Sequence, residues 1–583
     1  MHLKRVHIAK KLSFRDAIMT QFNVASFLSE RALTDPNAPA VCFVKERSLI
    51  ENFFSVFSFT NSKRNPEYDQ LSFLELDQSV NALVHNLSQR GVKAGMRTLL
   101  MVKPGLDLIQ IVFALFKIGA VPVVIDPGMG IARFFQCAKQ SKVEWVLGKP
   151  LAIGLARWFF SGLDNNKLIS TGRNFARAIR TELGKHSYSA RSVEADTLAA
   201  VLFTSGSTGA AKGVRYTHGM FYAQVQLIRE AYSIEAGEVD LPMLAVFALF
   251  NPALGMCTVV PEMNPSRPAQ VKPRKIVDSI DRFQVTNSFG SPTLWKLVTD
   301  YCEREGRQLP SLKRVIMAGA PAPQNLLTRL QRLLPKGEIF TPYGATEALP
   351  VSSISAREIF KKQVGAFAQG RRGICVGYAL PGVSIRVVEF FELEEGELPR
   401  IESIVSAQAG TIGEIIVSGP SVTQAYDYLP EATADSKIKD EGFYWHRMGD
   451  MGWLDAEGCL WFCGRKAERV WTERGFLETV CCEAIFNQLE GVARSALIDL
   501  GDGQAGVVIE PNRDCYPKTE NEREHFRVRL RKQAASDVQT EMIREFFFEK
   551  HFPVDVRHNA KIHRLALAKK FRLRKTNKKK LDS

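Results

Sequence analysis

Between about residues 70 and 350 the chain alternates segments of helically spaced apolar positions with short runs of β-branched residues. The runs "TLLMV" (98–102), "VPVVID" (121–126), "WVLG" (145–148) and "AVLFT" (200–204) predict strands, and the alternation predicts α/β layers with mainly parallel strands. The most apolar tract, 106–127, is interrupted by Asp107, Gln110, Lys117 and Pro122. It falls short of the roughly 18–20 uninterrupted apolar residues a membrane span needs. It predicts instead a buried helix, a glycine turn and a buried strand. From 384 to 420 the pattern changes: "VSIRVVEF" and "GEIIVSG" flank an acidic stretch and predict strands of a smaller β-rich unit. After "GCLWFCGRKAERV" (458–470) the chain becomes more charged and helical, which places a boundary near Gly464–Lys466.

The 583 residues, 45% hydrophobic and 24% charged, are enough for more than one core. Net charge is +15, with much of the excess at the ends: Lys4, Arg5, Lys10, Lys11 and Arg15, and "KKFRLRKTNKKK" at 569–580. A solvated basic tail is the favoured reading of such runs, and contact with an anionic membrane surface is the other. No aromatic-interleaved module accompanies them, so nucleic acid is not an expected partner. The N-terminal stretch lacks the apolar core of a secretory signal. Ten cysteines without a CxxC pair predict a reduced, cytoplasmic chain with no zinc site.

The candidate chemistry centres on "FTSGSTGAAKGVRYTHG" (203–219), directly after an apolar run. A strand ending in a loop of glycines, hydroxyls and one lysine is a way to hold phosphate oxygens. It is not a P-loop: counting from Gly206, Ala211 stands where the second glycine belongs and Gly213 where the magnesium-binding hydroxyl belongs. The dinucleotide fingerprint fails on spacing. In isolation Asp450 reads as a turn residue, Lys561 as a surface lysine and Glu347 as a capping carboxylate.

"TSGSTGAAKG" resembles the signature loop of the adenylate-forming superfamily, and further motifs follow in that superfamily's order: "MAGAPAP" (317–323), "YGATE" (343–347), "GEIIVSG" (413–419), "HRMGDMGWLDAEGCLWFCGR" (446–465) and "HNAKIHR" (558–564). The resemblance, running from about 24 to 568, implies a large N-terminal α/β domain of two α/β subdomains and a small β-barrel-like subdomain, followed by a small mobile α+β lid. The boundaries read 1–22 for a basic extension, 23–464 and 465–568 for the two domains, and 569–583 for a basic tail. It implies ATP and Mg²⁺ as cofactors. Phosphate contacts would come from Thr204, Ser205, Gly206, Ser207, Thr208, Gly209 and Lys212. Adenine and ribose would meet Gly319, Ala320, Pro321, Tyr343, Gly344, Asp450 and Arg465. Lys561, Thr346 and Glu347 would be catalytic, with Glu347 holding Mg²⁺ and Thr204 as a second metal contact. The hinge would be Ala467, where Asp or Lys is typical.

Departures from the thioester-forming pattern are Ala211, Ala467 and the proline-free "GFLETVCCEAIF" (475–486). Together with "VFALFNPALGM" (246–256), "PEMNPSRPA" (261–269), "TPYGATEALPV" (341–351) and "FPVDVRHNAKIHR" (552–564) they are similar to the olefin β-lactone synthetases of bacterial long-chain hydrocarbon synthesis. That resemblance implies adenylation of a long-chain 2-alkyl-3-hydroxy fatty acid and closure to a β-lactone, with AMP and pyrophosphate released. The alternative is a long-chain acyl-CoA synthetase or fatty acyl-AMP ligase, and a third reading is an inactive scaffold. An apolar pocket would be lined by Phe247, Phe250, Asn251 and Ser291. Implied partners are a β-lactone decarboxylase and an upstream reductase and thiolase, in a cytoplasmic setting peripheral to the inner membrane. No base for the 3-hydroxyl is assigned, and His218 belongs to a "TH" pair common across the superfamily.

Overall fold

The computed structural model describes residues 22–45, 67–204, 210–264, 267–368, 373–391, 398–555 and 561–581. Two α/β sheets share one design. The first runs Leu168–Ser170, Trp145–Gly148, Arg97–Met101, Val121–Val124, Leu198–Phe203, Gly213–Thr217, parallel throughout except for the last pair. The second, seven-stranded, is parallel from Glu338–Phe340 through to Pro39–Val44 and ends on antiparallel Tyr68–Ser72. The four runs expected to be strands are strands. Each is apolar along its length because helices cover both sheet faces.

The tract at 106–127 folds as the helix Leu106–Ile118, left-handed Gly119 and the strand Val121–Val124. Every residue from Leu108 to Lys117 is buried. Lys117 is tolerated there because its ammonium meets Asp77 at 2.8 Å, Asn81 at 2.7 Å and the Tyr188 carbonyl at 3.1 Å. No described helix is long and apolar enough to cross a membrane.

The β-rich unit is an eight-stranded antiparallel sheet built around the long strand Phe443–Leu454. It is an open sheet whose described strands do not close on themselves, so the barrel-like expectation is met in size and pairing but not in closure. The C-terminal part is α+β: a hairpin (Val470–Thr472 with Gly475–Leu477), a three-stranded sheet, and the helices Thr479–Phe486, Glu520–Ala534 and Arg564–Leu581. The last helix runs on through the basic stretch to Leu581, and Phe571 on it is buried against Phe547.

One irregular segment, 421–428, ties the first α/β sheet to the β-rich unit. Asp427, fully buried, accepts both guanidinium nitrogens of Arg97 at 2.6 and 2.9 Å and the Ser141 hydroxyl at 3.0 Å. Its amide donates to the Gly213 carbonyl at 2.7 Å. Thr423 donates its amide to the Glu347 carbonyl and its hydroxyl to the Arg215 carbonyl. Removing one partner of a buried ion pair strands the other in a low dielectric, at a cost of about 3–5 kcal/mol. Asp427→Ala is therefore expected to lower the unfolding free energy measured by urea titration by about 3–5 kcal/mol. An unchanged midpoint would mean the pair is not a tie.

Candidate active site

A cleft of about 1310 Å³, open to solvent, lies between the second α/β sheet, the β-rich unit and the C-terminal part. Seven predicted residues line it: Gly319, Ala320, Pro321, Tyr343, Gly344, Asp450 and Arg465, and Lys561 reaches it from the C-terminal part. Tyr343 and Gly344 lie on the strand Tyr343–Ala345, which turns back through Thr346 and Glu347 into Ala348–Ser353. Gly344 is required there, because a β-carbon would sit 2.6 Å from the Ala348 carbonyl oxygen. Gly464, at φ +140°, packs so closely on the helix Thr479–Phe486 that a β-carbon would meet Thr479 Oγ1 at 2.3 Å.

Asp450 is the polar centre of the cleft. Burial pushes its carboxyl up, opposed by Arg465 and by the Tyr343 hydroxyl. Tyr343 donates to Oδ2 at 2.6 Å, and burial together with that carboxylate holds its phenol well above the usual range. Oδ1 lies 3.0 Å from Arg465 Nη1 but has no hydrogen-bond donor. Arg465 also donates to the Met448 carbonyl at 3.3 Å. Lys561 is placed by Asp555, whose amide donates to the Lys561 carbonyl at 3.0 Å and whose side chain accepts the Lys561 amide at 2.9 Å. Three residues on, Arg564 is clamped by Glu483, with two bonds of 2.7 Å, and by Glu468 at 3.0 Å.

The loop expected to hold phosphates is a hairpin connection: its second strand, Gly213–Thr217, precedes the helix that starts at His218. Ser205, Gly206, Ser207, Thr208 and Gly209 lie outside the described residues. Thr204 and Lys212 close the loop, amide to carbonyl at 3.1 Å, and the Thr204 hydroxyl accepts the Lys212 amide at 3.4 Å. The Lys212 ammonium sits 4.8 Å from the centre of the Tyr426 ring, and the Tyr426 hydroxyl donates to Glu347 Oε1 at 2.9 Å. The Tyr216 hydroxyl fixes the Thr346 carbonyl at 2.6 Å. The fold thus brings Lys212 and Glu347 to the two sides of one tyrosine.

Behind Tyr426 lie two groups that sequence reasoning missed. Lys437, fully buried, donates to the Thr423 carbonyl and to His446 Nδ1, the latter at 3.2 Å. Burial pushes the Lys437 ammonium down to about 7. It also pushes His446 well below its ordinary value, with Lys437 and Lys212 adding to the effect. In the sequence, Lys437 and Lys439 alternate with Ile438 as on any exposed strand, so the pattern carries no signal of burial.

A second, small and apolar pocket is lined by Phe247, Phe250, Phe289, Ile228 and Ile316 among others, and Pro342 borders both spaces. Phe247 stacks on Phe289 at 3.6 Å. Asn251 also lines it, but its amide is committed to Asp240 and Thr258, each at 2.9 Å. Asn287 holds the other oxygen of Asp240 at 2.7 Å, and burial raises that carboxyl to about 6. Ser291 is placed elsewhere: its hydroxyl caps the helix Pro292–Arg304, accepting the Leu294 amide at 3.4 Å. His218 is buried against Phe116, accepts the Val24 amide at 3.2 Å, and is pushed down to about 4 by burial. Ala467 sits in a short 3₁₀ turn, Lys466–Glu468, directly after the strand that carries Arg465.

Residues 29–427 match the model of a family described as AMP-binding enzyme. An olefin beta-lactone synthetase of Stenotrophomonas maltophilia is 39% identical over 515 residues, covering 85% of this chain and 90% of that protein. A 4-chlorobenzoate–CoA ligase of an Arthrobacter species is 25% identical over 76% of this chain and 80% of its own length. ATP-bound MatB from Rhodopseudomonas palustris superposes with a TM-score of 0.73 at 19% identity, covering 94% of this chain and 99% of its own. The o-succinylbenzoate coenzyme A synthetase of Bacillus subtilis, in complex with ATP and magnesium ion, gives 0.70 at 18%, over 94% and 100%. At these identities the two structures speak to the fold alone.

The buried Lys437 makes stability depend on pH in a defined direction. In the unfolded chain its amine titrates near 10.5, in the folded chain near 7. Between those values the unfolded state binds the extra proton, so stability rises with pH across the window, and the full cost of burial is present below pH 7. From pH 7 to 9.5 this amounts to about 3 kcal/mol. The difference in unfolding free energy between wild type and Lys437→Met, from urea titrations at each pH, should shrink by that amount over the range. Parallel pH profiles for the two proteins would show that Lys437 stays charged inside the fold.

Proposed function

The chain belongs to the AMP-binding enzyme family, as an adenylate-forming ligase, and from that premise we propose that it adenylates a long-chain 2-alkyl-3-hydroxy fatty acid and closes the adenylate to a β-lactone. The observation that carries this reading is the 39% identity, over most of both chains, to olefin beta-lactone synthetases of Stenotrophomonas maltophilia and Xanthomonas campestris pv. campestris. The thiol-ligating relative above matches at 25%.

In this reading ATP lies along the cleft. Asp450 Oδ1, the acceptor without a donor, takes a ribose hydroxyl. Tyr343 stacks on adenine, with the Gly319–Ala320–Pro321 turn and Gly344 beside the base. The 204–213 loop and Lys212 hold the β- and γ-phosphates, and Thr346 contacts the α-phosphate. Glu347, with Thr204 as a further contact, fits a magnesium ion. Mg²⁺ there would neutralise charge on the phosphates as two anions, carboxylate and triphosphate, are brought together. Lys561 supplies the second positive charge at the α-phosphate. The adjoining apolar cavity takes the alkyl chains, with Phe247, Phe250 and Asn251 on its wall.

Closure needs no second substrate. The 3-hydroxyl oxygen bonds to the acyl carbon, the bond to the phosphate oxygen breaks, AMP leaves, and the hydroxyl proton is lost. An intramolecular nucleophile has a high effective molarity, which offsets ring strain. His218 is not the proton acceptor in this scheme, since its ring is buried at the start of its helix with Nδ1 bonded to Val24. The natural setting would be bacterial olefin synthesis, beside a β-lactone decarboxylase and an upstream reductase and thiolase, in the cytoplasm and at the inner membrane's surface through the basic ends.

The test is a product assay with ATP, Mg²⁺ and a synthetic 2-alkyl-3-hydroxy fatty acid, with and without CoA. A CoA-independent product lighter by one water, with one AMP per turnover and a four-membered ring by NMR, is expected. AMP appearing only with CoA, alongside a thioester, would make the protein an acyl-CoA synthetase, and a stable acyl-AMP would make it a fatty acyl-AMP ligase. Lys561→Ala should lower pyrophosphate release about 10²–10³-fold, the scale of losing one charge-stabilising group, with the melting temperature unchanged.

A further inference from the structure

Far from the cleft, the helix Arg173–Glu182 is attached to the body by little apolar surface. None of its residues is fully buried, and only Phe175 and Ile179 pack on the core. At its C-terminal end, however, Glu182 and His186 meet His85 of the helix Phe73–Gln89. The two imidazoles stack at 3.8 Å with an interplanar angle of 9°, and His186 Nε2 lies 2.9 Å from Glu182 Oε2. The ligand atoms of all three residues lie within 4.8 Å of one another, and all three are half-buried, so the cluster is open to ions from solvent. It is the one such group among the described residues.

We propose that His85, Glu182 and His186 form a structural zinc site that pins the Arg173–Glu182 helix and the following segment to the Phe73–Gln89 helix. Two imidazoles and a carboxylate are a ligand set that Zn²⁺ takes, with water in the fourth position. His186 Nε2 and Glu182 Oε2, 2.9 Å apart, can both reach one ion at about 2.1 Å in place of their hydrogen bond; the His85 ring, stacked parallel to His186, turns out of that stack to aim its nitrogen at the same ion. The outer partner is also in place. The Tyr188 hydroxyl lies 3.1 Å from His85 Nδ1, so a proton on Nδ1 is held by Tyr188 and Nε2 is left for the metal.

The support behind His85 is rigid. Asp77, Asn81 and His85 follow one another at four-residue spacing on one helix, and Lys117 bridges Asp77 and Asn81 to the Tyr188 carbonyl. What the ion would steady is the approach to the phosphate loop. Residues 183–197 lead into the strand Leu198–Phe203, at whose end Thr204 stands. The cluster contains no group assigned to the adenylation chemistry, so the inference stands apart from the proposed function.

The experiment is titration of the full chain, first stripped with EDTA and dialysed, with ZnCl₂ by calorimetry and by thermal melting. About one equivalent should bind, with a rise in melting temperature, and His85→Ala and His186→Ala should each abolish both effects. Tyr188→Phe should bind about 10–100-fold more weakly, as expected for loss of an outer-shell partner. Pyrophosphate release without zinc should equal wild type in all of them. Should His85→Ala fail to fold by circular dichroism, His186→Asn and Glu182→Gln, at the exposed end of the helix, read the same question. No saturable binding by wild type, or binding equal in wild type and the histidine variants, would overturn the site.

Discussion

The Arg97–Asp427 pair is the constraint on which the rest of the structure leans. It lies where a strand of the first α/β sheet meets a segment that leaves the β-rich unit, and Asp427 has no water to fall back on. Both guanidinium nitrogens and the Ser141 hydroxyl are needed to satisfy that carboxylate. Such an arrangement adds less net stability than an apolar contact of equal size, because desolvation offsets much of the attraction. What it gives is register. With Asp427 fixed, Tyr426 and Thr423 are fixed, and with them Glu347 and the edge strand that closes the phosphate loop.

The site is therefore made of charges held in place by other buried groups, with little support from exposed side chains. Asp450 is held between Tyr343 and Arg465, Glu347 by Tyr426, and Lys561 by the Asp555 pairing beside the Arg564–Glu483–Glu468 cluster. Groups fixed beforehand need not reorganise when charge builds up on a reacting phosphate, which is where electrostatic catalysis draws its strength. The same burial explains why Lys437 and His446 are kept away from full charge behind Tyr426.

Gly464 permits the backbone to lie against the Thr479–Phe486 helix, and the turn at Ala467 follows at once. Glu468, one residue beyond Ala467, is bound by Arg564, which stands three residues from Lys561. A rotation about this turn would move Glu468, Arg564 and Lys561 together, because the ion cluster makes them one piece.

While the division into two α/β units came with the family resemblance, the sequence by itself determined α/β layers with mainly parallel strands, a smaller β-rich unit and the order of the site motifs. Those are written in short-range periodicity and in glycine, hydroxyl and lysine spacings that local backbone geometry makes legible. It also named the residues that share the cleft, from Gly319 to Lys561, because each sits in a contiguous motif. Tertiary structure alone decided the rest. Lys437 alternates like a surface lysine and is buried only because the 421–428 segment crosses it. Ser291 sits beside the apolar pocket in sequence, yet its hydroxyl caps a helix. Phe571 lies in a run of basic residues and is drawn into a core by a sheet more than 20 residues before it. His85 and His186, about a hundred residues apart, face each other because the helix Arg173–Glu182, which His186 follows, packs on the helix Phe73–Gln89. In each case the deciding partner is distant along the chain, and periodicity reports only a residue's own segment.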